Sequence, residues 1–149
     1  MAIRRVKGLG YGDTQADIRA ELVFFSDHGE GSYLPRHFAD AVCSCGAREF
    51  SLQLDEVAGV AIRGCASCGS EHAIGDSAEY VDEADDLDDR DCLCGSPLFE
   101  ITVGVALYRD SDDVRWIYIG CRCPACGLAG SYGDWKCEAG DYRALLARV

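Results

Sequence analysis

The chain has 149 residues, a formal net charge of −12 and ten cysteines, and its length suits one compact domain or two very small ones. That charge, with a sequence pI of about 4.5, argues against non-specific attraction to phosphate backbones or anionic lipid. The opening MAIRRVKGLG has basic residues but no apolar core or cleavage site behind them, and apolar runs such as LVFF at residues 22–25 are short. No export signal and no membrane span are therefore expected, and the expected compartment is the cytoplasm.

GLGYGD at residues 8–13 lacks the lysine and the strand-to-helix setting of a phosphate loop, and reads as a flexible lead-in. A helix is expected from Thr14. Thr14 and Asp17 have capping-box spacing, Ile18, Leu22 and Phe25 share a face, and Gly29 stops it. The stretch between His28 and His37 reads as a loop. Residues 1–40 are thus expected to be an N-terminal helical segment whose apolar face needs a sheet to cover.

Residues 41–81 carry Cys43, Cys45, Cys65 and Cys68. Between the pairs, Phe50, Leu52 and Leu54 alternate with Ser51 and Gln53, DEVAG turns the chain, and VAIRG returns to Cys65. Period-two alternation around a turn predicts antiparallel strands. A third strand is expected in AIGDSAEYV. His72 reads as a surface or satisfied histidine, since the set already offers four sulfurs. Residues 82–91, DEADDLDDRD, hold seven acidic residues and one arginine. They lack the glycine and final glutamate of a calcium loop, and read as a solvated acidic linker suited to meeting a basic partner.

Residues 92–149 repeat the grammar with Cys92, Cys94, Cys123 and Cys126. Phe99, Ile101, Val103, Val105 and Leu107 lie on one face, RDSDD turns, VRWIYIG returns, and a third strand is expected in GSYGDWKCE. YRALLARV, capped by Asp141, is expected to be a short C-terminal helix. Phe99, Ile101, Val103, Trp116 and Tyr118 are expected to share one core with the N-terminal helix.

Both sets read Cys-x-Cys-Gly, a β-like stretch, then Cys-x-x-Cys-Gly, with 19 residues between the pairs in the first set and 28 in the second. Gly75 and Asp76 stand at the same offset from Cys68 as Gly133 and Asp134 from Cys126. Such recurrence predicts an internal duplication. The glycines suit knuckles that turn backbone amides toward a thiolate, because glycine takes positive φ freely. Without an export signal, cysteines in this pattern point to metal rather than disulfides. Four sulfurs select zinc, so two zinc ions are expected. Iron is the rival, because CPACG is similar to one half of a rubredoxin site. Four thiolates leave no place for water or substrate, so each zinc is expected to be structural.

On these motifs the chain resembles the zinc-ribbon family, across residues 43–80 and 92–137, and is similar to small acidic bacterial double zinc-ribbon proteins. The resemblance implies two cysteine knuckles at the ends of adjacent strands clamping one zinc, with a third strand completing each sheet. The first knuckle departs from the family pattern, being Cys-x-Cys where ribbons have Cys-x-x-Cys. The expected fold class is mainly β with small α elements: two ribbon units side by side, with the N-terminal and C-terminal helices against their sheets.

No catalytic constellation emerges, so the expected function is a non-enzymatic, zinc-stabilised protein-interaction module, such as an inhibitor or immunity-type binder of a basic partner. One alternative is a small enzyme or redox protein using Asp76 and Asp134, or Cys121 and Cys137. Cys121 is also a rival third ligand to Cys123, which is preferred because it matches Cys65; Cys137 occupies the repeat position of Glu79 and is placed near Cys121 on a neighbouring strand. A nucleic-acid-binding ribbon is the other alternative. It needs Arg109, Arg115, Arg122, Lys136 and Arg143 to share one face, and the overall charge opposes it.

Overall fold

A computed structural model describes residues 3–28, 33–137 and 140–149. Lys7 and Gly8 both take positive φ, 52° and 82°, the signature of a tight hairpin turn. They join β1 (Arg4–Val6) to β2 (Leu9–Tyr11). The glycine-rich segment 8–13, expected to be a flexible lead-in, therefore supplies part of the turn and the second strand of a hairpin. Its end is fixed by Gly12 N–H, which donates to the carbonyl of Gly127 at 2.8 Å.

Helix α1 spans Asp17–His28, beginning three residues later than Thr14. The Asp17 carboxylate accepts from the backbone N–H of Asp13 at 2.8 Å and of Thr14 at 3.0 Å, the acidic half of the expected capping box. Gly29, expected to stop the helix, lies outside the described residues. Residues 33–36, within the segment expected to be a loop, form no regular element, and β3 (His37–Asp40), for which no strand was expected, follows them. The remaining elements are β4 (Phe50–Asp55), β5 (Val60–Cys65), β6 (Glu71–Ala73), short 3-10 turns at Ser77–Glu79 and Val81–Glu83, β7 (Asp88–Asp89), β8 (Glu100–Leu107), β9 (Val114–Arg122), β10 (Leu128–Lys136) and α2 (Tyr142–Leu146). Asp141 caps α2 as expected, accepting from the Arg143 N–H at 2.8 Å. No described helix is long and apolar enough to cross a membrane.

The fold is mainly β, in two antiparallel sheets: a six-stranded sheet in the order β1-β2-β10-β9-β8-β3 and a four-stranded sheet in the order β6-β5-β4-β7. The second repeat forms the centre of the larger sheet, and the first forty residues add three strands to its edges as well as the helix. The acidic segment is ordered too. Asp88 and Asp89 pair with Leu54 and Gln53, making β7 the edge strand of the smaller sheet.

The register of β8 on β9 explains why both faces of the large sheet are covered. Ile101, Val103 and Val105 lie opposite Cys121, Ile119 and Ile117, while Gly104 and Ala106 lie opposite Tyr118 and Trp116; cross-strand partners share a face. The first group packs into one continuous core with Phe50, Leu52, Leu54 and Ala61 of the smaller sheet. The second group faces α1, where Ile18 and Leu22 are fully buried beside Tyr118. Trp116 and Tyr118 thus belong to a different layer from Phe99, Ile101 and Val103, contrary to the single expected core. Phe25 sits at the margin of the helix interface, 37% exposed and edge-on to Tyr118.

Glycine makes the helix layer possible. A Cβ at Gly120 would lie 2.5 Å from Ile18 Cγ2, and one at Gly104 would lie 3.2 Å from Leu22 Cδ1. Small residues there let α1 approach the strands as closely as it does.

The two expected third strands differ. β10 runs nine residues, with a register shift between Ser131 and Gly133. β6 stops after three. Gly75 takes φ +64°, and Ser77 Oγ accepts the Ala61 N–H at 2.9 Å. That turns the chain into the 3-10 segments, so AIGDSAEYV is not a continuous strand.

Two candidate metal centres

Each cysteine set closes into a compact cluster. In the first, Cys43 Sγ lies 3.6 Å from Cys68 Sγ, and Cys45 Sγ lies 3.6 Å from Cys65 Sγ. In the second, Cys92 and Cys126 are 3.5 Å apart, and Cys94 and Cys123 are 3.7 Å apart. Within each set all four sulfurs lie within 4.8 Å of one another. A tetrahedron of sulfurs about 2.3 Å from a central metal has edges of about 3.8 Å, so the donors fit one four-coordinate ion per cluster.

The local backbone shows why the sequence repeats. In the first knuckle, Gly46 N–H donates to the Cys43 carbonyl and Cys43 N–H to the Ala47 carbonyl, both at 2.8 Å; the second repeats this at 2.8 Å with Gly95, Cys92 and Ser96. Gly46 and Gly95 take φ of 92° and 95°, which explains the glycine after each Cys-x-Cys. At the facing pairs, Gly69 bonds back to Cys65 at 3.0 Å and Gly127 to Cys123 at 2.7 Å. Phe50 and Phe99, seven residues after Cys43 and Cys92, exchange reciprocal backbone hydrogen bonds of 2.8 Å. Equivalent residues pairing with each other define a local two-fold axis between the repeats.

Amides turned toward sulfur offset the negative charge of the donors. Ser67 and Cys68 N–H groups point at Cys65 Sγ at 3.4 Å, and the Leu128 N–H points at Cys126 Sγ at 3.5 Å. The backbone amide of Cys45, followed by the Ser70 hydroxyl, holds the Cys43 thiol down to about 5. Burial pushes the Cys92 thiol up to about 12. Two contributors were not evident from the sequence. Ser70 Oγ lies 3.1 Å from Cys68 Sγ and 3.5 Å from Cys43 Sγ, and the largely buried Arg63 guanidinium stacks 4.5 Å from the Phe50 ring, within reach of Cys43. Cys121 occupies the Arg63 position in the second repeat, so only the first cluster has this cation.

Cys121 lies on β9 opposite Ile101 and Gly130, fully buried and outside the cluster. Burial alone raises its thiol. Cys137 is not beside it. The Cys137 N–H bonds to the Arg115 carbonyl at the far end of β9, about 20 Å of strand away from Cys121, which corrects the expected proximity and removes that redox pair. Cys137 Sγ instead donates to Asp76 Oδ2 at 3.3 Å. Asp134 accepts from the Trp116 indole at 2.8 Å on β10, apart from Asp76. His72 bonds the Arg148 carbonyl and His37 stacks on Tyr142 at 4.0 Å; neither joins a metal cluster, and His28 closes α1. Of the basic residues, Arg122 is tied to Gly12 and Glu100, Arg143 to Asp112 and Asp141, and Arg115 to Tyr33.

The fold and site together define a mainly β protein with a duplicated four-cysteine arrangement, each set able to hold a metal ion. Comparison with protein-family models, curated proteins and solved structures found no match to this chain.

Proposed function

We propose that the chain is a zinc-ribbon-like module in which two zinc ions are structural, and that it acts without catalysis by binding a basic protein partner. The observation that carries the reading is the closure of both clusters: four sulfurs within 4.8 Å of one another in each. Such a set suits tetrahedral zinc and leaves no open coordination position for chemistry. Zinc then acts by folding the chain around it.

The acidic segment supports the choice of partner. Asp82, Glu83, Asp85, Asp86, Asp88, Asp89 and Asp91 are all exposed, and β7 presents two of them on a sheet edge. An acidic sheet edge recognises a basic surface by charge complementarity, which accelerates association and selects against acidic partners. An inhibitor or immunity-type binder of a basic enzyme is one form this function takes.

Capture experiments in lysate of the source cells test it, comparing the zinc-loaded wild type with a variant carrying Asp85→Asn, Asp86→Asn, Asp88→Asn and Asp89→Asn. Wild type is expected to retain a basic protein at low salt and release it as salt rises, and the variant to lose it. Equal capture by both chains, or capture independent of salt, would overturn the reading.

A further inference from the structure

A cavity of about 190 Å³ lies between the two repeats, lined by Ala58, Gly59, Asp76, Tyr80, Trp135 and Lys136. It uses none of the cysteine ligands. Two of its lining side chains carry polar atoms with no hydrogen-bond partner among the described residues. Asp76 is 3% exposed, and while its Oδ2 takes the Cys137 thiol, its Oδ1 is buried and unpaired. Trp135 is 8% exposed, and its indole N–H is also buried and unpaired. Buried polar groups are almost always paired, and an exception calls for a missing partner.

The wall opposite Trp135 is shaped to leave room. Gly59 has φ +75°, and a Cβ there would come within 3.2 Å of Trp135 Cδ1 and 3.3 Å of Nε1. The glycine keeps the nitrogen edge of the indole free of a side chain. The volume exceeds that of a single water, which takes about 30 Å³ of liquid, and matches a small organic molecule.

The two orphan atoms make opposite demands. A buried carboxylate oxygen needs a donor, best a cationic one. An indole N–H needs an acceptor, best an anionic one. An amine alone would leave the N–H unmet, while an acid alone would face Asp76. We propose that this cavity binds a small zwitterion, a free α-amino acid, with its ammonium on Asp76 Oδ1 and its carboxylate on the Trp135 N–H. The site would give the chain a small-molecule response independent of any protein partner.

Calorimetric titration of the zinc-loaded full chain with each α-amino acid, its decarboxylated amine and its deaminated acid tests the assignment. At least one amino acid is expected to bind, with the amine and the acid each weaker by at least about tenfold, the loss set by one charge-assisted hydrogen bond. Asp76→Asn and Trp135→Phe should each weaken binding by a similar factor while two zinc ions remain in the mass spectrum. Two variants are used so that misfolding of one leaves the other as a test. An amine or acid that binds as tightly as the amino acid overturns the zwitterion, unchanged affinity in both variants overturns the site, and no binding by any amino acid overturns the proposal and leaves a water-filled cavity. None of these outcomes bears on the acidic edge.

Discussion

Replacing Cys65 by serine tests both the metal assignment and whether the two repeats are one cooperative unit. Cys65 Sγ lies 3.6 Å from Cys45 Sγ and receives two backbone N–H groups at 3.4 Å. A serine hydroxyl keeps its proton and is a poor, hard donor for zinc. The first site would hold three thiolates, and the binding energy of a structural zinc, about 10–16 kcal/mol in small zinc units, is folding energy. The consequence reaches the second repeat. β4 carries Phe50, Leu52 and Leu54, each at most 1% exposed and packed into the core that both sheets share. At about 1.5–3 kcal/mol per fully buried side chain, their loss removes about 5–9 kcal/mol, comparable with the whole stability of a typical domain at about 5–15 kcal/mol. The first repeat therefore cannot melt and leave the second standing. Native mass spectrometry is expected to show one zinc, and a thermal scan a single transition at lower temperature. Two retained ions with an unchanged melting curve would refute the ligand assignment. One ion with the main transition in its wild-type place would refute the coupling.

Cys137→Ser should keep both zinc ions, because Cys137 bonds Asp76 rather than joining a cluster; loss of an ion on native mass spectrometry would mean the second site is wired differently. Gly120→Ala places a methyl 2.5 Å from Ile18 Cγ2 and should destabilise by about 1–3 kcal/mol, read as a lower urea midpoint, with an unchanged midpoint showing that α1 does not pack there. Burial raises the Asp76 carboxyl above its usual range. The stability contributed by a raised acid is complete below its unfolded pKa and disappears as pH rises through the folded value, so Asp76→Asn should melt no lower than wild type at pH 7 without ligand, and a clear drop would refute the penalty.

Local signals carried what was legible in the sequence. The grouping of eight cysteines into two sets of four, the hairpins at β4–β5 and β8–β9, and the Asp141 cap each rest on short local patterns, and each appears in the structure. What depended on distant partners was missed. His37–Asp40 is half-buried throughout and shows no alternation of its own; it is a strand because β8 offers Thr102 to Val105 for pairing. The β1–β2 turn uses Lys7 with positive φ, a residue that gives little turn signal. Gly104 and Gly120 carry no packing signal of their own in the sequence, yet their absence of side chains seats Ile18 and Leu22. Ser70 and Arg63 reach the first cluster through the fold rather than through any motif.

The departure from repetition is as informative as the repetition. Phe50 pairs with Phe99 on the local axis, so a faithful duplication would place Gly75 and Asp76 within a strand, as Gly133 and Asp134 are in β10. Instead Gly75 turns left-handed, and Asp76 is buried at the junction of the repeats with one oxygen unpaired among the described residues. Neither metal cluster requires this: the knuckles of both repeats close with the same hydrogen bonds, whether the third strand continues or turns. Nor does stability favour it, since a desolvated carboxylate destabilises the fold at neutral pH. A group that local structure and stability do not call for, facing an unpaired indole N–H across a formed cavity, is accounted for by a ligand that supplies both missing partners.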